Sequence, residues 1–205
     1  MDITVLAASG ATGRELTRQA LERGHTVRAI ARDPARITLP DSPLLTRIAG
    51  DVNDPQSIAA ALQGSKVVVS GLGQTGKAAG PVLTAGARAV VAARPQHIVW
   101  LGAFGTGPSA PAAGPVTRGI LKLALGKKIP DRVSADAIIL EAGGCVFHAG
   151  PLTNGVLSPN RRTVSLKDAP RSIFPVPVSR ATVAAAMLDE AEAAQFGGIA
   201  LPLGK

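Results

Sequence analysis

Residues 3–36 read "ITVLAASGATGRELTRQALERGHTVRAIARDPAR", and the turn inside this stretch decides the fold. Small residues recur there in two overlapping frames, Ala7-x-x-Gly10-x-x-Gly13 and Gly10-x-x-Gly13-x-x-Leu16. A turn that holds a phosphate needs its first small residue directly after a strand, and its third where the next helix crosses close to that strand. The apolar run Ile3–Leu6 ends at Ala7, so the first frame starts in the right place and Gly13 opens the helix. In the second frame the third position is Leu16, which shares an apolar helix face with Ala20 and does not permit the close backbone approach of glycine. The first frame is the working one, with Ala7 in the first glycine position. A methyl group there requires that residue 7 keep a negative φ. A strand-to-helix turn without a ligand shows the same spacing, so the other strand ends must decide.

Outward from this turn, short apolar runs alternate with helical patterns. Strands are expected at 26–31, 44–49, 67–70, 98–101 and 145–148, and helices at 14–23, 55–63 and 82–93, with a further helical region between 116 and 141. The strands are rich in Val, Ile and Ala without polar alternation, which implies burial on both faces, as in a parallel sheet. The expected fold is α/β, a Rossmann-like, doubly wound, mostly parallel sheet in one domain over residues 1–205. The segment "GAFGTGPSAPAAGP" is too long for a tight turn and reads as a loop over the carboxyl edge of the sheet. After Gly150 the pattern breaks, apart from a helix from 181 to about 194 and a short terminal strand. Cap elements beside the sheet are expected within about 105–180.

Successive strand ends carry polar or small residues suited to a dinucleotide. The second strand runs into "AIARDPAR", which places Arg32 roughly 20 residues beyond the turn, where an acidic residue would meet a ribose and an arginine a 2′-phosphate. Arg32 and Arg36 are candidates to hold that phosphate through charge-assisted forked hydrogen bonds; the other reading is two solvated arginines beside Asp33. "IAGDVND" puts Asp51 and Val52 after the third strand, a carboxylate for an adenine amino group and a side chain to pack on the ring. Asp51 could instead cap a helix, although Asp54, just before Pro55, suits that role better. "VVVSGLGQTG" ends the fourth strand at Gly71, Leu72 and Gly73, either backbone lining a nicotinamide ribose or a loop that needs positive φ.

Composition narrows the partners. The net charge is +8, from 22 basic and 14 acidic residues, but the basic residues are scattered and only 2% of residues are aromatic. Stacking platforms for bases are scarce, and no zinc-ligand spacing or basic helix with a dimer seam occurs, so nucleic acid is not the expected partner. A phosphate-bearing cofactor, NADP(H), with ordinary surface arginine accounts for the charge. No stretch approaches the ~20 apolar residues of a membrane span, and no basic leader precedes the first strand. A soluble cytoplasmic protein with no membrane partner is expected, as a monomer, with a dimer as the alternative.

The stretches "ASGATGRELTRQALERGHTVRAIARDPAR", "GDVNDPQSIAAALQGSKVVVSGLG" and "LTAGARAVVAARPQHIVWLGAFG" resemble the atypical short-chain dehydrogenases of the NAD(P)H-binding, NmrA-like group, with the biliverdin-IXβ/flavin reductases as the nearest type. The resemblance is strong over residues 1 to about 105 and loose beyond. It implies that Ser9, Gly10, Ala11, Thr12 and Gly13 surround a pyrophosphate, that Arg32 and Arg36 take the 2′-phosphate, that Asp51 and Val52 meet the adenine, and that Leu72 and Gly73 meet the nicotinamide ribose. The "FHAGPLTNG" loop would bring backbone to the carboxamide.

Two departures bear on chemistry. Ordinary short-chain dehydrogenases use a Tyr-x-x-x-Lys pair, and this chain has no tyrosine. The atypical reductases commonly keep Ser or Thr at the end of the fifth strand, where this chain has Gly102. Hydride transfer to an electron-poor ring protonated by water needs only orientation and solvent exclusion, so the expected activity is NADPH-dependent reduction of a flavin-like, quinone-like or other conjugated acceptor. The alternative is a non-catalytic, redox-sensing NADP(H)-binding regulator. His148, at the end of the sixth expected strand, is the one histidine placed to donate a proton, or else a satisfied structural group. Cys145 and Trp100 read as core, and Asp136 and Glu141 as solvated.

Overall fold

The structure, a computed structural model, describes residues 1–74, 80–170 and 176–204. Its elements run β1 (Asp2–Leu6), α1 (Ala11–Glu22), β2 (Thr26–Ala31), β3 (Leu45–Ala49), α2 (Pro55–Leu62), β4 (Val67–Ser70), α3 (Val82–Ala92) and β5 (His97–Ala103). They continue with α4 (Pro115–Leu125), α5 (Ile129–Glu141), β6 (Cys145–Ala149), β7 (Leu152–Thr153), β8 (Arg162–Ser165), β9 (Val178–Ser179), α6 (Arg180–Ala193) and β10 (Gly198–Leu203). The main sheet has the order β3-β2-β1-β4-β5-β6-β10-β8. Its neighbours pair in parallel except β10 with β8 at the edge.

Alternate residues of each inner strand feed two cores. Ile3, Val5, Val67, Val69, Val99 and Phe147 pack toward α1 and α6. Leu6, Val68, Ile98, Trp100 and Val146 pack toward α2, α3 and α5. Continuous Val/Ile runs are thus consumed on both faces, as a parallel sheet between helix layers requires. The strand order reverses between β1 and β4, which opens a crevice at their carboxyl ends.

Within residues 105–180, where cap elements are expected, β8 joins the main sheet, while α4, β7 and β9 stand apart from it. β10 pairs with β6, from Gly198 against Cys145 onward, and β8 closes the edge antiparallel, so these strands extend the sheet. The helical region at 116–141 divides in two, and only α4 stands outside the layers. α5 packs on α3, and Asp131 in its first turn accepts hydrogen bonds from the amides of Leu83 (3.0 Å) and Thr84 (2.9 Å). Those amides open α3 behind Pro81, whose ring offers no side-chain cap, so the helix start is satisfied across a separation of 47 or 48 residues. By contrast α2 is capped locally, Asp54 accepting from Gln56 and Ser57. The small ribbon of β7 and β9 lies beside the sheet. Residues 75 and 76 of the quoted glycine loop, and 171–175 of the expected cap, lie outside the described residues.

Ala7 corrects one expectation. Its φ is +62°, in the left-handed region, not negative. It stands where the ladder gives way to the turn: the Ala8 amide still donates to Ile30 O (2.9 Å), while the Gly10 amide turns back to Ala7 O (2.9 Å). A Cβ in that conformation costs about 1–2 kcal/mol, part of which glycine would return as lost chain entropy. Ala7→Gly should therefore raise the unfolding free energy by up to about 1 kcal/mol in urea titration; a fall would show that the strain account is wrong.

Candidate functional site

A cleft of about 760 Å³ lies over the carboxyl ends of β1, β2, β4 and β5. Ser9, Gly10, Ala11 and Thr12 line it where α1 begins. α1 has no side-chain cap and no acidic residue in its first turn, so its leading amides and the positive end of its dipole face the cleft unanswered. Gly13 lies behind this wall. A Cβ built on Gly13 would overlap the Ala7 carbonyl and come within 2.8 Å of Ala8 Cα, which is the close helix-to-strand approach expected of the third position. These features fit a dinucleotide pyrophosphate.

Arg32 and Arg36, just beyond β2, both line the cleft and are exposed. Asp33 is engaged in accepting from the Ala35 amide, and neither arginine has an ion pair among the described residues. At the end of β3 the structure separates the two candidates. Val52 lines the cleft, but the Asp51 carboxylate turns away to accept from the amide (2.9 Å) and side chain (3.2 Å) of Asn53, and Asn53 takes the place at the wall. An Asx turn is the physical reason, since a short carboxylate two residues before an amide satisfies it locally. Gly71, Leu72 and Gly73 line the cleft without positive φ at either glycine.

Of its two readings, His148 takes that of a satisfied structural group. Its side chain is fully buried, and the cleft wall is made by Gly102 and Ala149 around it. Nδ1 lies 2.6 Å from Ser109 Oγ and Nε2 lies 3.1 Å from Asp136 Oδ2. Asp136, read as solvated, is only 1% exposed. Serine, histidine and aspartate stand together, but not as a nucleophilic triad. The serine meets the ring nitrogen opposite to the one that faces the nucleophile in such a triad, and Ser109 is itself buried, accepting from the Gly105 amide. This cluster ties α5 and the loop after β5 to the end of β6.

The same ring explains Gly102. A Cβ at residue 102 would come within 2.6 Å of His148 Cδ2 and 2.9 Å of Val146 Cγ1, because Gly102 and His148 are paired in register on adjacent strands. The imidazole occupies the volume that a Ser or Thr would need. Gly102→Ser should destabilise the fold by about 1–3 kcal/mol in chemical denaturation. An unchanged midpoint would show that the ring moves aside freely.

Ala149, Gly150, Pro151 and Leu152 of the "FHAGPLTNG" loop also line the cleft, while its wall from α4 and its charge from α5 and α6 were not legible in the sequence. Phe104, Ile120, Leu121 and Leu125 give it an apolar wall, and Arg132 of α5 and Arg180 of α6 supply its remaining charge. Burial pushes the Arg132 guanidinium below its ordinary value, opposed by Asp136 and Asp131. Arg132 Nε and Asp136 Oδ1 are both buried without a hydrogen-bond partner among the described residues. Cys145 lies in the core, where burial and then Glu190 push its thiol up to about 12, so it is no nucleophile at neutral pH. Among the described residues no helix is long and apolar enough to cross a membrane, and no cluster fit to hold a metal ion occurs.

The fold is shared with solved proteins. A wide-type short-chain dehydrogenase/reductase from Veillonella parvula in complex with NADP superposes with a TM-score of 0.79 at 17% identity, over 100% of this chain and 94% of that one. ChuY, an anaerobillin reductase from Escherichia coli O157:H7, does so with a TM-score of 0.77 at 18% identity, over 99% and 97%. The photosystem II assembly factor Ycf39 of Cyanophora paradoxa is 33% identical over 69 residues, 34% of this chain and 22% of that protein. The chain thus spans about a fifth of that relative's length. A family model described as NAD(P)H-binding matches residues 7–194. The chain belongs to this NAD(P)H-binding family.

Proposed function

We propose that the protein is an NADPH-dependent reductase that acts on a flavin-like, quinone-like or other conjugated small molecule without a catalytic tyrosine. The observation that carries this reading is the wall of the cleft. Every charged side chain among its described lining residues is an arginine, Arg32, Arg36, Arg132 and Arg180, and no Asp, Glu, His, Cys or Lys faces it. Arginine holds its proton at all accessible pH, so these groups bind and orient but do not act as general acids. Reduced nicotinamide, when bound, supplies a hydride.

The chain's own residues then have three tasks. The start of α1 and Arg32 with Arg36 hold the phosphates at one end. Phe104, Leu121 and Leu125 offer an apolar wall for a flat acceptor and keep water from one side. Arg132 and Arg180 favour an acceptor that carries negative charge, and the proton is taken from solvent. The similarity of fold to an anaerobillin reductase supports the same class.

Gly102 without a hydroxyl, and His148 sealed behind it, favour the second reading, a non-catalytic NADP(H)-binding regulator. The two are separated by mixing the protein with NADPH and FMN or dichlorophenolindophenol and following the nicotinamide absorbance. Turnover supports the reductase. Tight NADPH binding with no consumption on any acceptor establishes the regulator in its place.

A further inference from the structure

Among the described residues, α4 is the one helix whose apolar residues are not absorbed by the two cores. Thr117 is buried, and Leu121 and Leu125 turn inward to the cleft. Val116, Ile120 and Leu123 point outward, 44%, 44% and 91% exposed. Their spacing, i, i+4 and i+7, makes one stripe along the helix. Arg118, Lys122 and Lys127 are exposed on the same helix and the turn after it. Residues 55–130 contain no Asp or Glu, and Asp131, which follows them, is engaged by the amides of Leu83 and Thr84.

We propose that α4 seats the protein on the surface of an anionic lipid bilayer, with Val116, Ile120 and Leu123 entering the headgroup boundary and Lys122 and Lys127 meeting lipid phosphates. An apolar stripe flanked by basic residues on a helix too short to span is the arrangement that lies in a membrane interface. A second copy of the chain is a poorer occupant. Two-fold pairing through this stripe would set the same cations against themselves with no carboxylate on the segment to answer them. The expectation of no membrane partner rested on the lack of a span, which a helix lying in the surface does not need. Ile120 belongs both to the stripe and to the wall of the cleft, so a seated protein would hold the mouth of the cleft beside the bilayer. The proposal does not depend on the reductase reading.

The test is flotation of the full chain with phosphatidylcholine vesicles, alone and with phosphatidylglycerol at roughly one lipid in three. Binding is expected to the anionic vesicles only, weakened by high salt, and reduced about tenfold or more by Leu123→Glu. Leu123 does not line the cleft, so NADPH titration of the variant, expected to match the parent, controls for folding. Absence of binding to anionic vesicles overturns the proposal, as does full binding by L123E. A concentration-dependent dimer in light scattering that L123E dissociates would overturn it in favour of self-association.

Discussion

Gly13→Ala is expected to weaken NADPH binding by about 100-fold and to lower the unfolding free energy by about 3 kcal/mol, the upper end of the range for overpacking. The new methyl group meets backbone rather than flexible side chain, overlapping the Ala7 carbonyl and lying 2.7 Å from its carbon and 2.8 Å from Ala8 Cα. Ala7 cannot yield easily. It is already left-handed, and its carbonyl accepts the Gly10 amide at 2.9 Å. Relief must come from α1 moving away from β1, which carries the leading amides of the helix out of register with the phosphates. Gly73→Ala is the contrast, because a Cβ there has nothing within 4 Å, and the fold should be unaffected. Fluorescence titration with NADPH and urea denaturation measure both quantities. A Gly13→Ala protein that binds NADPH as the parent does would place the pyrophosphate elsewhere.

Removing both arginines, Arg32→Ala with Arg36→Ala, is expected to abolish the preference for NADPH over NADH. Each charge-assisted hydrogen bond to a phosphate is worth about 1.5–3 kcal/mol, so the pair should cost roughly 100-fold or more in NADPH affinity. NADH, which has no 2′-phosphate, should bind the variant about as it binds the parent. Both side chains are exposed and neither is paired with a carboxylate among the described residues, so the fold loses nothing. In the parent, raising salt should narrow the preference, since exposed charges are screened within about 10 Å at ordinary ionic strength. An unaltered ratio of NADPH to NADH affinity in the double variant would rule out this role.

The legible part of the protein was the part written in short-range pattern. Unbroken Val and Ile runs marked inner strands because a residue buried on either face need not alternate with polar neighbours. Asp54 before Pro55 marked a helix start, because both act on the amides immediately following. Arg32 could be placed at a strand end by counting along the chain from the turn. The cleft's apolar wall could not be found in that way. Phe104, Leu121 and Arg132 come together from a loop and two helices, and no period in the sequence relates them.

Side-chain pairing was hidden for the same reason. Asp51 and Asp54 are both candidate caps by type; the Asx turn onto Asn53 and the cap on α2 are distinguished only by coordinates. Asp131 looks like an ordinary acidic residue in its own helix, yet it completes the start of α3. Asp136 looks solvated because a charged residue on a helix ordinarily stands at the surface, whereas it faces His148 on β6.

By itself, the sequence determined the doubly wound sheet, the turn that begins α1, and the arginines that follow β2, because each depends on residues within a few positions of one another and on the direction in which a strand delivers them. Only the tertiary structure decided that Ala7 bears a left-handed backbone, that β10 and β8 extend the sheet, and that His148 fills the space beside Gly102. Those outcomes depend on which strands become neighbours. Once β5 and β6 are paired in register, one volume is left at the end of both, and the imidazole and a side chain at residue 102 cannot share it.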